Sequence, residues 1–289
     1  MKHTKKWLAL ALALILALAL AVPAFAAAAT WSDMVQDNGV LEAEEAYTPA
    51  SVQKALTAYE HYLDTKVGSQ AEKDAYNNEF KPAILALEFK AHRFTDAPKD
   101  QWYNDALNFV GSTGKMNGVG NGRFDPQGTM TRAMAVTILW RMNGSPDPKA
   151  ASAFTDVPAN EWYTKAVAWA VENKITNGKS DKIFDPSTPV TREQMASFFS
   201  RMILALAGES DGLGLSEAQM RKALSEQYPD AAQISSYALE HVLICLETGV
   251  MKGNADKTFA PQANITRAQG AQMLMNYYYF LVNATFLEL

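Results

Sequence analysis

The sequence predicts an all-α protein built from three tandem helix–loop–helix modules behind a helical N-terminal region. Three observations carry that expectation. One unit of sequence returns three times, each unit carries apolar stripes at helical spacing, and each second stripe begins at a threonine suited to cap a helix.

The repeat comes first because everything else is read against it. Residues 94–110 read FTDAPKDQWYNDALNFV and residues 154–170 read FTDVPANEWYTKAVAWA. Asp96 and Asp156, Trp102 and Trp162, Phe124 and Phe184, and Arg132 and Arg192 all stand 60 residues apart. A third copy runs from Gly253 through Phe259 and Pro261 to Thr266-Arg267, offset by 75 residues from the second. Counted back from Gly253, Tyr237 takes the tryptophan position and His241 the small alanine position, while Asp230 falls one residue out of step.

Within a unit, Trp162, Ala166, Trp169 and Ala170 recur at i, i+4, i+7 and i+8, one face of an amphipathic helix opening at the tryptophan. Trp102, Ala106, Phe109 and Val110 repeat that face. Phe-Asp-Pro then forces an extended stretch, since a residue before proline avoids the α region. Thr131, Thr191 and Thr266 are the N-caps of the second helices, with Gln194 and Gln269 completing capping boxes and Met134 unable to do so. A two-helix unit cannot bury both stripes alone, so the modules must pack on one another.

Outside the repeats, Thr48-Pro49 starts a helix running to about Lys66, with Val52, Leu56, Tyr59 and Leu63 inward. A second helical stretch is expected over about Ala71–His92, kinked or broken at Pro82. Ser216 caps a short helix through about Glu226. The chain thus divides into a leader over 1–26, a helical N-terminal region over 27–92, and repeats over 93–150 and 151–206. A linker with a short helix follows over 207–227, then a divergent third repeat and tail over 228–289.

The leader is an expectation from residues: Lys2, Lys5 and Lys6, an apolar run from Trp7 to Val22, and Ala24-Phe25-Ala26 as a cleavage site. Its removal takes the formal charge from −5 to −8, too acidic for a general binder of nucleic acid or lipid headgroups. No stable membrane span is expected afterwards. Cys245 is the sole cysteine, so no intrachain disulfide forms, and its apolar neighbours place it in a core.

These motifs closely resemble the S-layer homology (SLH) family of cell-wall-binding domains. Copy two carries Phe154-Thr155-Asp156-Val157-Pro158, Trp162-Tyr163, Ile175-Thr176-Asn177-Gly178, Phe184-Asp185-Pro186 and Thr191-Arg192. The resemblance implies a pseudo-threefold unit whose grooves hold acidic secondary cell-wall polysaccharide, often bearing a pyruvate ketal. It also implies a secreted protein of the cell wall or S-layer. Carried over by motif, the polysaccharide-binding positions are Arg132, Arg192, Arg267, Trp102, Trp162, Asp96, Asp156, Gly118, Gly178 and Gly253.

Each position has a plainer reading beside that one. The arginines are groove contacts or interlobe salt bridges; the tryptophans stack on sugar or pack in the core. The aspartates are ligand contacts or turn acceptors, and the glycines relieve a backbone at a helix end. Substitutions in copy three predict that the groove leaning most on it is weak. No cofactor, metal set or catalytic constellation is expected: His61, His92 and His241 lack metal-ligand spacing, and no carboxylate pair suggests an acid opposite a base. An anchoring module is the leading class and a wall hydrolase the least. Residues 27–92 pack on the first module, or form a spacer or a small partner-binding bundle. A structural or interaction protein, in which they bind a surface protein partner while the repeats hold the wall, stands between. Their deletion leaves wall binding intact under the anchor reading and abolishes assembly under the structural one.

Overall fold

The computed structural model describes residues 29–38, 41–208 and 212–285; the leader and its cleavage site lie outside them. The described residues are helical, with isolated β-bridges and no sheet. Helices α1 (Trp31–Asn38), α2 (Pro49–Leu63), α3 (Gln70–Ala75) and α4 (Lys81–Leu85) form the N-terminal region. The repeats contribute α5 (Asn104–Thr113) and α6 (Arg132–Met142), then α7 (Thr164–Glu172) and α8 (Arg192–Leu206). After α9 (Glu217–Ser225) come α10 (Leu239–Glu247) and α11 (Arg267–Thr285). Among the described residues no helix is long and apolar enough to cross a membrane.

The second helices start as their caps predict. Thr131 Oγ1 accepts the Met134 amide at 3.3 Å with no reciprocal bond, whereas Thr191–Gln194 and Thr266–Gln269 bond in both directions. Ser216 and Gln219 do the same for α9. Three expectations are corrected. The first helices of copies one and two open at Asn104 and Thr164, so Trp102 and Trp162 lie in the preceding turn. Thr48 precedes α2, but its side chain accepts no amide; its hydroxyl donates to the Ser51 hydroxyl instead. The second N-terminal stretch ends at Leu85, not His92, and widens into a π turn over Tyr76–Phe80 just before Pro82. Proline lacks the N–H for the i−4 carbonyl and its ring crowds that carbonyl, so the coil loosens there.

Packing follows a cyclic exchange. Each first helix pairs with a second helix from another repeat: α6 with α7, α8 with α10, and α11 with α5. At the centre the amide of Met130 donates to Ile265 (2.9 Å), that of Val190 to Met130 (2.9 Å), and that of Ile265 to Val190 (3.0 Å). These residues occupy one equivalent position, so the three modules close a pseudo-threefold ring. Burying Phe124, Phe184 and Phe259, each two residues before a proline, contributes roughly 1.5–3 kcal/mol each.

The N-terminal region is part of this core. Tyr47 stacks on Phe89 at 4.8 Å, and Phe89 meets Phe109 of α5 and Tyr278 of α11 edge-on. The Tyr47 and Tyr278 hydroxyls bond at 2.6 Å. Of the roles open to this region, packing on the first module is the one these contacts match, and it covers aromatic faces of the repeats.

Candidate functional site

The arginine at the start of each second helix reaches across to the next module. Arg132 Nε donates to the Phe184 carbonyl (2.9 Å), Arg192 Nε to Phe259 (2.6 Å), and Arg267 Nε to Phe124 (2.7 Å). Each guanidinium also lies over the ring of that phenylalanine, at 4.9, 4.9 and 4.6 Å. Arg192 Nη2 adds a bond to the Lys252 carbonyl and Arg267 Nη2 one to Asn117. Arg132 reaches only the Gln194 side chain, at 3.5 Å. All three are buried, and desolvation pushes their pKa values below the usual arginine range. Neither sequence reading of these residues anticipated this. Their partners are backbone carbonyls, which a planar donor fork suits without any carboxylate.

The aspartates hold the Phe-Asp-Pro turn. Asp96 accepts the amides of Phe124 and Asp125 at 2.7 and 2.9 Å, and Asp156 those of Phe184 and Asp185 at 2.9 and 2.7 Å. Those amide bonds draw the Asp96 carboxyl below the usual carboxylate range although burial opposes them. Asp230 makes the same pair of bonds to Phe259 and Ala260. Its one-residue displacement is absorbed locally, and the copy-three turn is intact. The residue after each phenylalanine sits at positive φ: Asp125, Asp185 and Ala260 at 59°, 63° and 53°.

The aromatics point outward. Trp102, Trp162 and Tyr237 are 60%, 56% and 53% exposed, so the core reading of the two tryptophans is overturned. Their indoles lean edge-on against Tyr103 and Tyr163, which leaves apolar surface open to solvent. The glycines answer to space. A Cβ at Gly118 would strike the Arg123 carbonyl, one at Gly178 the Phe154 ring, and one at Gly253 the Tyr228 ring. Of these three, Gly178 alone has positive φ, at 75°.

These parts meet where modules join. A cleft of about 260 Å³ is lined by Asn117 and Gly118 of the first repeat, Trp162 of the second and Arg267 of the third. Arg141 completes its wall together with Met116, Met134, Thr137 and Ile138. Two guanidinium groups face this space and no carboxylate lines it, so it suits an anion with an apolar face. The ring's rotation carries this trio onto Arg132, Gly178 and Tyr237, and then onto Arg192, Gly253 and Trp102. Tyr237 is more restrained than the tryptophans because its hydroxyl donates to Glu193 at 3.0 Å. Arg267 makes the same kind of carbonyl bonds as Arg192 and borders this cleft. This cleft draws on all three repeats.

Arg141 was missed from sequence. Its equivalent Arg201 stands at the same 60-residue spacing, and that recurrence was the available signal. Arg201 donates to the Ile175 carbonyl at 3.3 Å.

The architecture and site define a class: a closed ring of three homologous helical modules with a cationic cleft at a junction. The S-layer homology domain family model matches residues 93–135, 153–196 and 227–271, and these three modules belong to that family. The chain is similar to the surface-layer 125 kDa protein of Lysinibacillus sphaericus, 33% identical over 56% of the chain and 13% of that protein. It is similar to a cellulosome-anchoring protein of Acetivibrio thermocellus, 24% identical over 57% of the chain and 36% of that protein. An amylopullulanase of Thermoanaerobacterium thermosulfurigenes is 25% identical over 74% of the chain but only 11% of its own length. The chain therefore spans a small part of the curated relatives it matches.

Proposed function

We propose that this protein is held non-covalently at the bacterial cell wall by acidic secondary cell-wall polysaccharide bound in the module junctions. The protein is extracellular and cell-wall-associated on this reading, in keeping with its S-layer homology domains and with relatives named as surface-layer and cellulosome-anchoring proteins. The observation that supports the ligand class is the Arg267–Arg141–Trp162 cleft. A sugar carboxylate, such as a pyruvate ketal, meets guanidinium donors, and the exposed indole covers the apolar face of the ring. Asp96, Asp156 and the three glycines shape the cleft by holding its turns. Several moderate sites along one polymer raise retention through effective concentration.

The role is binding without chemistry, and the catalytic relatives match over a minor share of their length. The test is co-sedimentation of the purified chain with wall sacculi, before and after mild acid strips the acidic substituent. Retention should fall on stripped wall and in Trp162→Ala. Equal retention on both walls would remove the acidic ligand from the proposal.

A further inference from the structure

A second cavity, of about 520 Å³, lies on the opposite side of the charge balance. It is lined by Leu85, Leu87, Glu88, Asp105, Asn108 and Tyr279, with Phe89 and Met275 beneath, where the N-terminal region meets α5 and α11. Two carboxylates face it and no cation lines it. Glu88 and Asp105 form no ion pair, and the side-chain bond to Asp105 comes from the neighbouring Asn104 amide.

The other repeats show what this position takes. Asp105 corresponds to Lys165 and Glu240 on the first helices of copies two and three. In copy two, the segment entering the repeat supplies Asp147, whose carboxylate lies 2.5 Å from Lys165 Nζ. In copy three, the linker supplies the Leu213 amide, which donates to Glu240 Oε1 at 2.5 Å. Both equivalents are thus satisfied by charge or N–H donation from the segment that precedes the repeat. In copy one that segment brings Leu87 and Glu88, which add apolar surface and a second negative charge. The position is left open with its complement missing.

We propose that this cavity binds a primary ammonium group carried on a saturated ring or a short apolar stem. The ammonium sits between Glu88 and Asp105, as Lys165 sits on Asp147, while Asn108 and the Tyr279 hydroxyl take neighbouring polar atoms. Leu85 and Leu87 cover the stem. A cavity of this size is within the range that holds small ligands. An anion is excluded by the paired carboxylates, so this site and the arginine cleft select opposite charges. The proposal is independent of what the arginine cleft binds.

The test is an NMR titration of the purified chain carrying 13C-methyl methionine, with D-glucosamine and Nα-acetyl-lysine amide as probes and N-acetylglucosamine as the uncharged control. The Met275 methyl reports on this cavity, and Met116 and Met134 report on the arginine cleft. Either amine should shift Met275 and leave Met116 and Met134 in place. Response to glucosamine alone marks an amino sugar as the source, and response to the lysine amide alone marks a peptide side chain. Glu88→Gln or Asp105→Asn should weaken the response about tenfold, since a charge-assisted bond is lost. An unchanged pattern of the other methyls verifies that each variant is folded. The proposal is overturned if neither amine shifts Met275, if N-acetylglucosamine shifts it equally, or if the variants bind as the parent does.

Discussion

Arg267 Nη2 donates to the carbonyl of Asn117 at 2.7 Å, although 150 residues separate the two. With the Nε bond to Phe124 it closes the ring of modules, tying the last repeat to the first. The same guanidinium borders the cleft, so one side chain holds the architecture and faces the space where ligand is proposed to lie.

Arg267→Ala should therefore unfold the ring more readily before it says anything about binding. The buried Phe124 carbonyl and the part-buried Asn117 bond lose their donor, which costs about 2 kcal/mol. Thermal melts of the variant should drop by several degrees. A melt unchanged from the parent would show that the clasp is not a stabilising contact.

Arg141 and Trp162 separate the two roles. Neither is buried, and the indole is over half exposed. Arg141→Ala and Trp162→Ala should keep the parental melting temperature within about 2 °C while wall retention falls several-fold. Loss of melting temperature in proportion to loss of retention would assign both residues to folding instead.

Ala260 sits at φ 53° where the other copies have aspartate. A left-handed conformation costs an ordinary L residue about 1 kcal/mol, so Ala260→Gly should raise stability by up to that amount. Chemical denaturation gives the answer directly. A lower midpoint would mean that the entropy added to the unfolded chain outweighs the relief of strain.

His241 lies against α8, with Nδ1 at 3.1 Å from Ser200 Oγ. Burial, and then the nearby Arg201, push its pKa down from 6.5 to about 4. Below pH 6.5 the unfolded chain takes up a proton that the folded one refuses until about pH 4. Stability is thus full above 6.5 and declines through that window, by roughly 3 kcal/mol at most. His241→Gln should flatten the decline in denaturation midpoints measured between pH 7 and 4. An equal slope in the variant would place the acid sensitivity elsewhere.

Lys115 Nζ pairs with Glu42 Oε1 at 3.2 Å and also donates to the Arg141 carbonyl, linking the N-terminal region to the rim of the cleft. Burial raises the Glu42 pKa and Lys115 opposes that rise. Deleting residues 29–92 uncovers Phe109 and Tyr278 as well, so the shortened chain should melt well below the parent and aggregate more readily. A truncated chain with the parental melt would restore the view of this region as a separable attachment.

The repeats, their caps and the all-α class were legible because they depend on neighbours in sequence. Thr191 and Gln194 are three residues apart, and helical spacing brings them together wherever the helix lies. The positions of Trp102 and Trp162 were misjudged for a related reason. An apolar period extended by one turn looks the same whether the first residue begins the helix or stands before it.

From sequence alone, three homologous modules with recurrent arginines, aspartates, aromatics and glycines were determined, since each depends on residue type and local period. Only the tertiary structure decided which repeat supplies which wall of a cleft, because α11 returns to α5 and each first helix pairs with the second helix of another copy. It also decided that the arginines grip backbone carbonyls: every residue carries a carbonyl, so composition holds no trace of which one a distant guanidinium will find.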